Sequence, residues 1–324
     1  MKNAPFISVG IVFHAPEVMM LQALSSLLSQ SFEDFEILLR DQSPSGSASK
    51  WLFQNIPQEM EDVRIRLFKG DNLFHSGGHN ALIREMRGEV YCCASNDMEY
   101  DQELLRIVAN ALYQHSDIDT FVPKLFRWNE GRTEEIDSCS IGITASHYCY
   151  DKGHGKPDAA EYQREEEVFG GSGALFCIRK RALEEIRNGE EYFDELLHYK
   201  NDVDIMYRLQ WIGKKCLFLP EAHAWHARQA RKNGKKSNFI RESSLFGQIV
   251  LLRKHVWHIL PFSIQLQSGI RITFLLLWTF MSSPQSLFRV LQKLNKKKKE
   301  IEQKRESLLR TISPERICSF LERK

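Results

Sequence analysis

The stretch Gly88-Glu-Val-Tyr-Cys-Cys-Ala-Ser-Asn-Asp-Met98 decides the fold. Val90 to Ala94 form a continuous apolar run of strand length, and Gly88 marks a turn before it. Polarity then changes at once through Ser95, Asn96 and Asp97. The pattern predicts a short buried strand that ends on a carboxylate. In an open α/β sheet, ligands bind just beyond the carboxyl ends of strands. A carboxylate placed there can hold a divalent cation against a phosphate, because hard cations take oxygen ligands. Taken alone, the same residues read equally well as a strand and a solvated turn.

The flanking sequence supplies the rest of a sheet. Phe6–Phe13 is an Ile/Val-rich strand bounded by Pro5 and the His14-Ala-Pro16 break, and Glu17–Gln30 carries apolar residues at helical spacing. Strands at Phe35–Leu39 and Arg64–Phe68 enclose a turn-rich loop from Asp41 and a helix over Ala48–Asn55. This strand–helix alternation predicts a doubly wound, mostly parallel α/β sheet. A Gly-containing loop, Asp71–Asn80, feeds a helix at Ala81–Met86, and a Gly-rich turn at a helix start can cradle a phosphate. Further strands are expected at Thr120–Leu125, after Gly170-Gly-Ser-Gly173, and at Lys215–Pro220, with Phe126–Arg164 irregular.

At 324 residues, with 43% hydrophobic and 27% charged residues, the chain has room for one large α/β domain with an appendage. The net charge of +2 conceals an asymmetry. Residues 1–227 hold 23 Lys/Arg and 36 Asp/Glu, and residues 228–324 hold 21 and 6, so the basic tail suits an anionic partner. Seven Cys without a C-x-x-C pair fit a reduced, cytoplasmic protein. Met1–Pro5 reads as a short polar lead rather than a signal peptide.

Seven stretches in order, spanning about residues 6–228, together resemble the inverting family 2 glycosyltransferases of GT-A fold, rhamnosyltransferase-like branch. They are Ser8–Phe13; Arg40-Asp41-Gln-Ser; Asn72 with Gly78 and Asn80; Ser95-Asn-Asp97; Gly173-Ala174 to Arg179; Phe193-Asp194-Glu195 through Asn201-Asp202-Val203-Asp204; and Pro220 with His226. The departures are Ser95 for the first residue of the D-x-D triplet, Asn201 for the Glu of the E-D pair, and Phe74 and His75 after Asn72.

The resemblance implies sugar transfer, with inversion, from a nucleotide-diphosphate sugar to a hydroxyl. It implies a nucleotide site from Phe13, His14, Asp41, Asn72, Gly78, Asn80 and Asn96, with Asp41 accepting N3–H of uracil or thymine. Mg²⁺ or Mn²⁺ would be held by Asp97 and His226. Asp202 is the expected base, and Gly173, Asp204, Trp225 and Arg228 stand on the acceptor or diphosphate side. Asp202 and Asp204 are equally placed to favour a helix N-terminus, and Trp225 to stack on a sugar or simply to pack. Arg228 and Arg231 open a basic loop suited to a diphosphate, or to water.

The sequence reading places a glycosyltransferase domain at 1–236 and a basic helical extension at 237–324. Ile272–Met281 is strongly apolar but far short of the roughly 20 residues of a span. Residues 241–292 therefore read as helices on a membrane surface or as a hairpin packed on the domain, and Lys296–Lys299 suit anionic lipid. The expected enzyme takes a UDP- or dTDP-sugar, dTDP-rhamnose by resemblance, to a glycan or lipid-linked glycan at the inner face of the cell membrane. The alternative is a catalytically impaired nucleotide- or glycan-binding scaffold, motivated by Ser95 and Asn201. No nucleic-acid partner is expected, since no binding motif accompanies the basic tail.

Overall fold

The computed structural model describes residues 6–228 and 238–322. In chain order the strands are β1 (Ile7–Phe13), β2 (Phe35–Asp41), β3 (Ile65–Lys69), β4 (Val90–Ala94), β5 (Met98–Tyr100), β6 (Thr120–Trp128), β7 (Arg132–Ser138), β8 (Ile141–Thr144), β9 (Cys149–Asp151), β10 (Glu166–Val168), β11 (Leu175–Arg179), β12 (Cys216–His226) and β13 (Leu321–Glu322). The helices are α1 (Val18–Leu28), α2 (Ser47–Asn55), α3 (Pro57–Met60), α4 (Phe74–Glu85), α5 (Leu104–Gln114), α6 (Lys180–Ile186), α7 (Asn201–Trp211), α8 (Asn238–Leu251), α9 (Phe262–Ser282), α10 (Pro284–Lys296), α11 (Lys298–Glu306) and α12 (Glu315–Cys318). Contacts divide the chain into two units. The first is drawn from Met1–Ile141, Asp151–Glu185 and Lys214–Ala230, the second from Gly142–Tyr150, Ile186–Gly213 and Arg231–Lys324.

The first unit is built on a sheet of order β10-β12-β6-β11-β4-β1-β2-β3, with β5 on β12 and β7 on β6. As the alternation predicts, β1, β2, β3 and β4 are mutually parallel, while β11 runs antiparallel to β4 and β6. Ile7, Val9 and Ile11 of β1 and Met20, Leu24 and Leu27 of α1 belong to one buried core. Each such side chain contributes about 1.5–3 kcal/mol by leaving water. Gly10 in β1 is required, because a Cβ there would stand 2.0 Å from Tyr91 Oη. The chain leaves β1 toward β2 and β3, then returns to β4 on the other side of β1. The crevice beyond the carboxyl ends of β1 and β4 is therefore the switch point at which such sheets take ligands.

Three local expectations change. Residues 74–80 are not loop but the first half of α4. Gly77 and Gly78 sit inside the helix because α4 lies tight on β1: a Cβ on Gly78 would meet Val12 Cγ1 at 2.7 Å. Phe126–Arg164 is not irregular; it holds the end of β6 and strands β7–β9. The strand expected to stop at Pro220 continues to His226, because a register shift between Leu219 and His223 absorbs the proline.

In the second unit, α7 groups with the tail helices rather than with the sheet. Buried charge explains this. Asp204 is fully buried and accepts from Arg208 (2.9 Å), Lys254 (2.5 Å) and His255 (2.9 Å), and Lys254 also reaches Asp194 at 2.7 Å. A π-helical turn, Leu252–Val256, ends α8 and carries Lys254 and His255 inward. Trp211 Nε1 donates to His255 Nδ1 at 3.2 Å, so the neutral ring gives its Nε2 proton to Asp204. Among the described residues, no helix is long and apolar enough to cross a membrane.

The network fixes a pH response. Burial holds His255 down, to about 4, although Asp204 pulls the other way. A His depressed when folded contributes stability that is complete above its unfolded value near 6.5 and is lost as pH falls to about 4. The loss is on the order of 3 kcal/mol. Burial raises Asp204, but Lys254, Arg208 and His255 outweigh it and hold the carboxylate well below its usual range, so a further loss follows under pH 4. Urea unfolding at a series of pH values should show stability falling already between pH 6.5 and 4. A flat profile down to pH 4.5 would refute this assignment.

Candidate active site at the carboxyl ends of β1 and β4

Asp97 lies in the tight turn between β4 and β5, buried. Ser95 Oγ donates to its Oδ1 at 2.5 Å, and its carbonyl accepts from Ala227 N at 3.0 Å. The strand β5 pairs antiparallel with β12 and sets His226 opposite Met98. Residues 129 positions apart in sequence are thereby neighbours: His226 Nε2 stands 3.3 Å from Asp97 Oδ1. The other ring nitrogen, Nδ1, faces Asp137 Oδ2 at 2.9 Å. Asp137 occupies the β7 side of an irregular stretch of the β6–β7 pairing, where bulges re-aim side chains. It is wholly buried and also accepts from Arg228, whose other arm reaches Asp151 at 2.6 Å.

Burial alone would lower the His226 pKa and raise that of Asp137. The pairing wins: Asp137 and Asp97 together push His226 up to about 9, and Asp137, with His226 and Arg228 beside it, lies below the usual carboxylate range. The set fits a divalent cation. Two ligands of one ion with bonds of about 2.1 Å sit roughly 3 Å apart, close to the separation of Asp97 Oδ1 and His226 Nε2. A carboxylate behind a ligating imidazole is the usual support for such a ligand, and Asp137 provides it. Asp97 and His226 are thus the residues that could hold Mg²⁺ or Mn²⁺, with Ser95 adjacent.

The expected nucleotide residues gather in the first unit. Phe13 ends β1 buried and His14 follows exposed. Asp41 is the last residue of β2, fully buried, and accepts from Ser43 N and Oγ (2.8 and 2.5 Å) and from Ser49 N (2.8 Å). Burial raises this carboxyl, but the serines outweigh it and hold it down. Asp41 therefore shapes the β2–α2 loop from within. Asn72 is exposed and accepts from Phe74 N at 2.9 Å. Gly78 and Asn80 are buried in α4, and Asn96 donates to Glu17 Oε2 at 3.0 Å. Gly173 precedes β11 and its carbonyl faces Cys93 Sγ.

Trp225 is largely buried: it stacks on Phe126, carries Arg132 over its face at 4.2 Å, and donates to Thr133 O. In this structure it packs within the protein. Arg231 lies outside the described residues. In the second unit, Asp202 is half-buried in the first turn of α7 and accepts from Val203 N at 2.8 Å. Asp204, two residues on, is turned inward to the Lys254 network and has no outward face.

The Glycosyl transferase family 2 model matches residues 8–187, more than half of the chain. The chain belongs to glycosyl transferase family 2. No curated protein matches this family 2 chain significantly. Its fold is similar to that of solved glycosyltransferases. GalNAc-T7, crystallised with UDP, GalNAc and Mn²⁺, is 16% identical with a TM-score of 0.58, over 78% of this chain and 52% of that one. TarS of S. aureus is 14% identical with a TM-score of 0.51, over 86% and 44%. The mannosyltransferase PcManGT of Pyrobaculum calidifontis, in complex with GDP-Man and Mn²⁺, is 14% identical with a TM-score of 0.52, over 92% and 76%. The chain thus spans about half the length of the first two. At these identities the likeness establishes the GT-A fold.

Sequence reading of this family 2 glycosyltransferase missed Asp137, Glu17 and Gln42. Asp137 lies in the stretch that the sequence predicts to be irregular and carries no motif. Gln42 ties β2 to α4, with Nε2 donating to Phe74 O (3.1 Å) and Oε1 accepting from Leu73 N (2.8 Å).

Proposed function

We propose that this glycosyltransferase moves a sugar from a nucleotide diphosphate donor to a hydroxyl, with inversion at the anomeric carbon. The observation that carries the reading is the Asp97–His226–Asp137 arrangement at the switch point of a family 2 fold. A divalent cation, when bound, neutralises the departing diphosphate. Asp97 and His226 would hold it, and Asp137 would fix the imidazole. Arg228 adds positive charge on the same side. Asp202 takes the acceptor hydroxyl's proton as its oxygen forms the new bond and the anomeric carbon–phosphate bond breaks. The donor is a UDP- or dTDP-sugar, with dTDP-rhamnose the first to try. The acceptor is a glycan or a lipid-linked glycan of surface polysaccharide.

Binding of a panel of nucleotide diphosphates and diphospho-sugars, with and without Mn²⁺, tests this. Metal-dependent binding of UDP or dTDP is expected. Asp202→Asn should keep that binding and lose transfer by at least about 10²-fold, the lower end of what a general base contributes. No nucleotide bound under any metal condition would leave the scaffold reading instead.

The tail supports attachment to an anionic bilayer. From Phe262 to Lys299 the sequence has no Asp or Glu but has Arg271, Arg289, Lys293 and Lys296–Lys299. α9 exposes Phe262, Phe274, Trp278, Phe280 and Met281, so apolar insertion and lipid-head attraction act together, the latter on the order of 1 kcal/mol per basic residue. Vesicles containing anionic lipid should sediment the full chain in a salt-sensitive way, and Phe274→Ser with Trp278→Ser should weaken this at least about tenfold. Equal binding to neutral vesicles, or none to either, rejects the proposal.

A further inference from the structure

A second donor cluster draws on neither Asp97 nor His226. His75 and His79 are one turn apart on α4, so they share a face, and their ring centroids are 4.3 Å apart. Cys93, on β4, meets them from below. One donor atom from each of His75, His79 and Cys93 lies within 4.8 Å of the others. Cys93 Sγ is 3.6 Å from His79 Nε2, and His79 Nδ1 is 2.7 Å from Tyr91 Oη.

The geometry points to a site for a soft or borderline divalent cation of the Zn²⁺ class, ligated by His75, His79 Nε2 and Cys93 Sγ. Thiolate and imidazole select such ions over Mg²⁺ and Mn²⁺, which prefer oxygen. The site therefore differs in chemistry from Asp97 and His226. Tyr91 stands where a supporting partner should: with Nδ1–H donating to the phenol oxygen, His79 presents its Nε2 lone pair to the ion. His79 and Cys93 are buried and His75 is half-buried, which leaves a path from solvent. Binding forms the sulfur–metal bond as the thiol proton passes to solvent, without oxidation or reduction. Three protein ligands leave a fourth position for water or an exogenous donor. The bound ion would pin α4 to β4, and α4 carries Gly78 and Asn80.

Co²⁺ added to the chelator-treated full chain is the test. The expected result is one equivalent bound with a near-ultraviolet thiolate-to-cobalt band that Zn²⁺ removes and Mn²⁺ does not. Cys93→Ser should abolish the band, and His75→Ala, at a half-buried position, should weaken Co²⁺ binding at least tenfold. Tyr91→Phe should weaken it about 10–100-fold. Asp97→Ala and Cys318→Ser should leave it unchanged, which separates this site from the proposed catalytic metal. No thiolate band, or a band that persists in both Cys93→Ser and His75→Ala, would overturn the site and leave Cys93, His79 and Tyr91 as a hydrogen-bonded chain only.

Discussion

Asp97→Ala is expected to abolish Mn²⁺-dependent nucleotide binding and to lower kcat/KM by at least about 10³-fold, equivalent to about 4 kcal/mol of transition-state stabilisation. The reason is that Asp97 brings the carboxylate to the proposed ion. Asp97 is the carboxylate that faces His226 Nε2, and Ser95, which replaces the first acid of the triplet, brings no charge. Asp137 supports His226 through its far nitrogen rather than competing for the ion. Asp137→Asn should therefore weaken metal binding by a smaller factor, about 10–100-fold. Calorimetric titration of Mn²⁺ and of UDP or dTDP into each variant distinguishes the two roles. Undiminished Mn²⁺-dependent binding in Asp97→Ala would remove Asp97 from the metal site.

Lys254→Met should cost about 3–5 kcal/mol of stability, since it strips the shared cation from two buried carboxylates, Asp194 and Asp204. Domains are commonly stable by about 5–15 kcal/mol, so this is a large fraction. Arg208, His255 and Lys304 remain in place, which keeps the cost finite. Burial raises Asp194, but Lys254 and Lys304 hold it below its ordinary value. A folded carboxylate depressed in this way contributes above its unfolded pKa and loses the contribution as pH falls through its folded one. The gap between variant and parent should therefore narrow in strong acid. Adding Asp204→Asn to Lys254→Met should recover part of the loss, and a double-mutant cycle gives the coupling. A cost under about 1 kcal/mol would mean that the network is not buried in solution.

Much of the sheet was legible because its signals are local. Val90–Ala94 is apolar without interruption and is a strand; Gly88 and the Ser95–Asp97 switch mark its ends. The strand–helix alternation up to residue 69 likewise reports burial that repeats along the chain. Helix α4 is not legible in the sequence, since Gly77 and Gly78 look like loop residues, whereas Gly78 lets a helix lie against Val12. Asp41 and Asp97 were both legible as strand-end acids. Only the fold shows that Asp41 is turned into its own loop by Ser43 and Ser49, while Asp97 stands beside His226, the histidine that the resemblance set with it.

The sequence by itself determined the family, the parallel core and the acid that closes β4, because apolar periodicity and a carboxyl-terminal acid depend on near neighbours. Tertiary structure decided which distant groups share that acid. The resemblance already set His226 with Asp97, and the β5–β12 pairing shows how that histidine arrives; Asp137, brought behind His226 by the β6–β7 irregularity, carried no signal in the sequence. Tertiary structure likewise turned Asp204 from an acceptor candidate into the anchor of Lys254. A charge at the start of a helix reads the same in sequence whether it faces substrate or core. Only long-range packing sets its dielectric surroundings, and those fix its role.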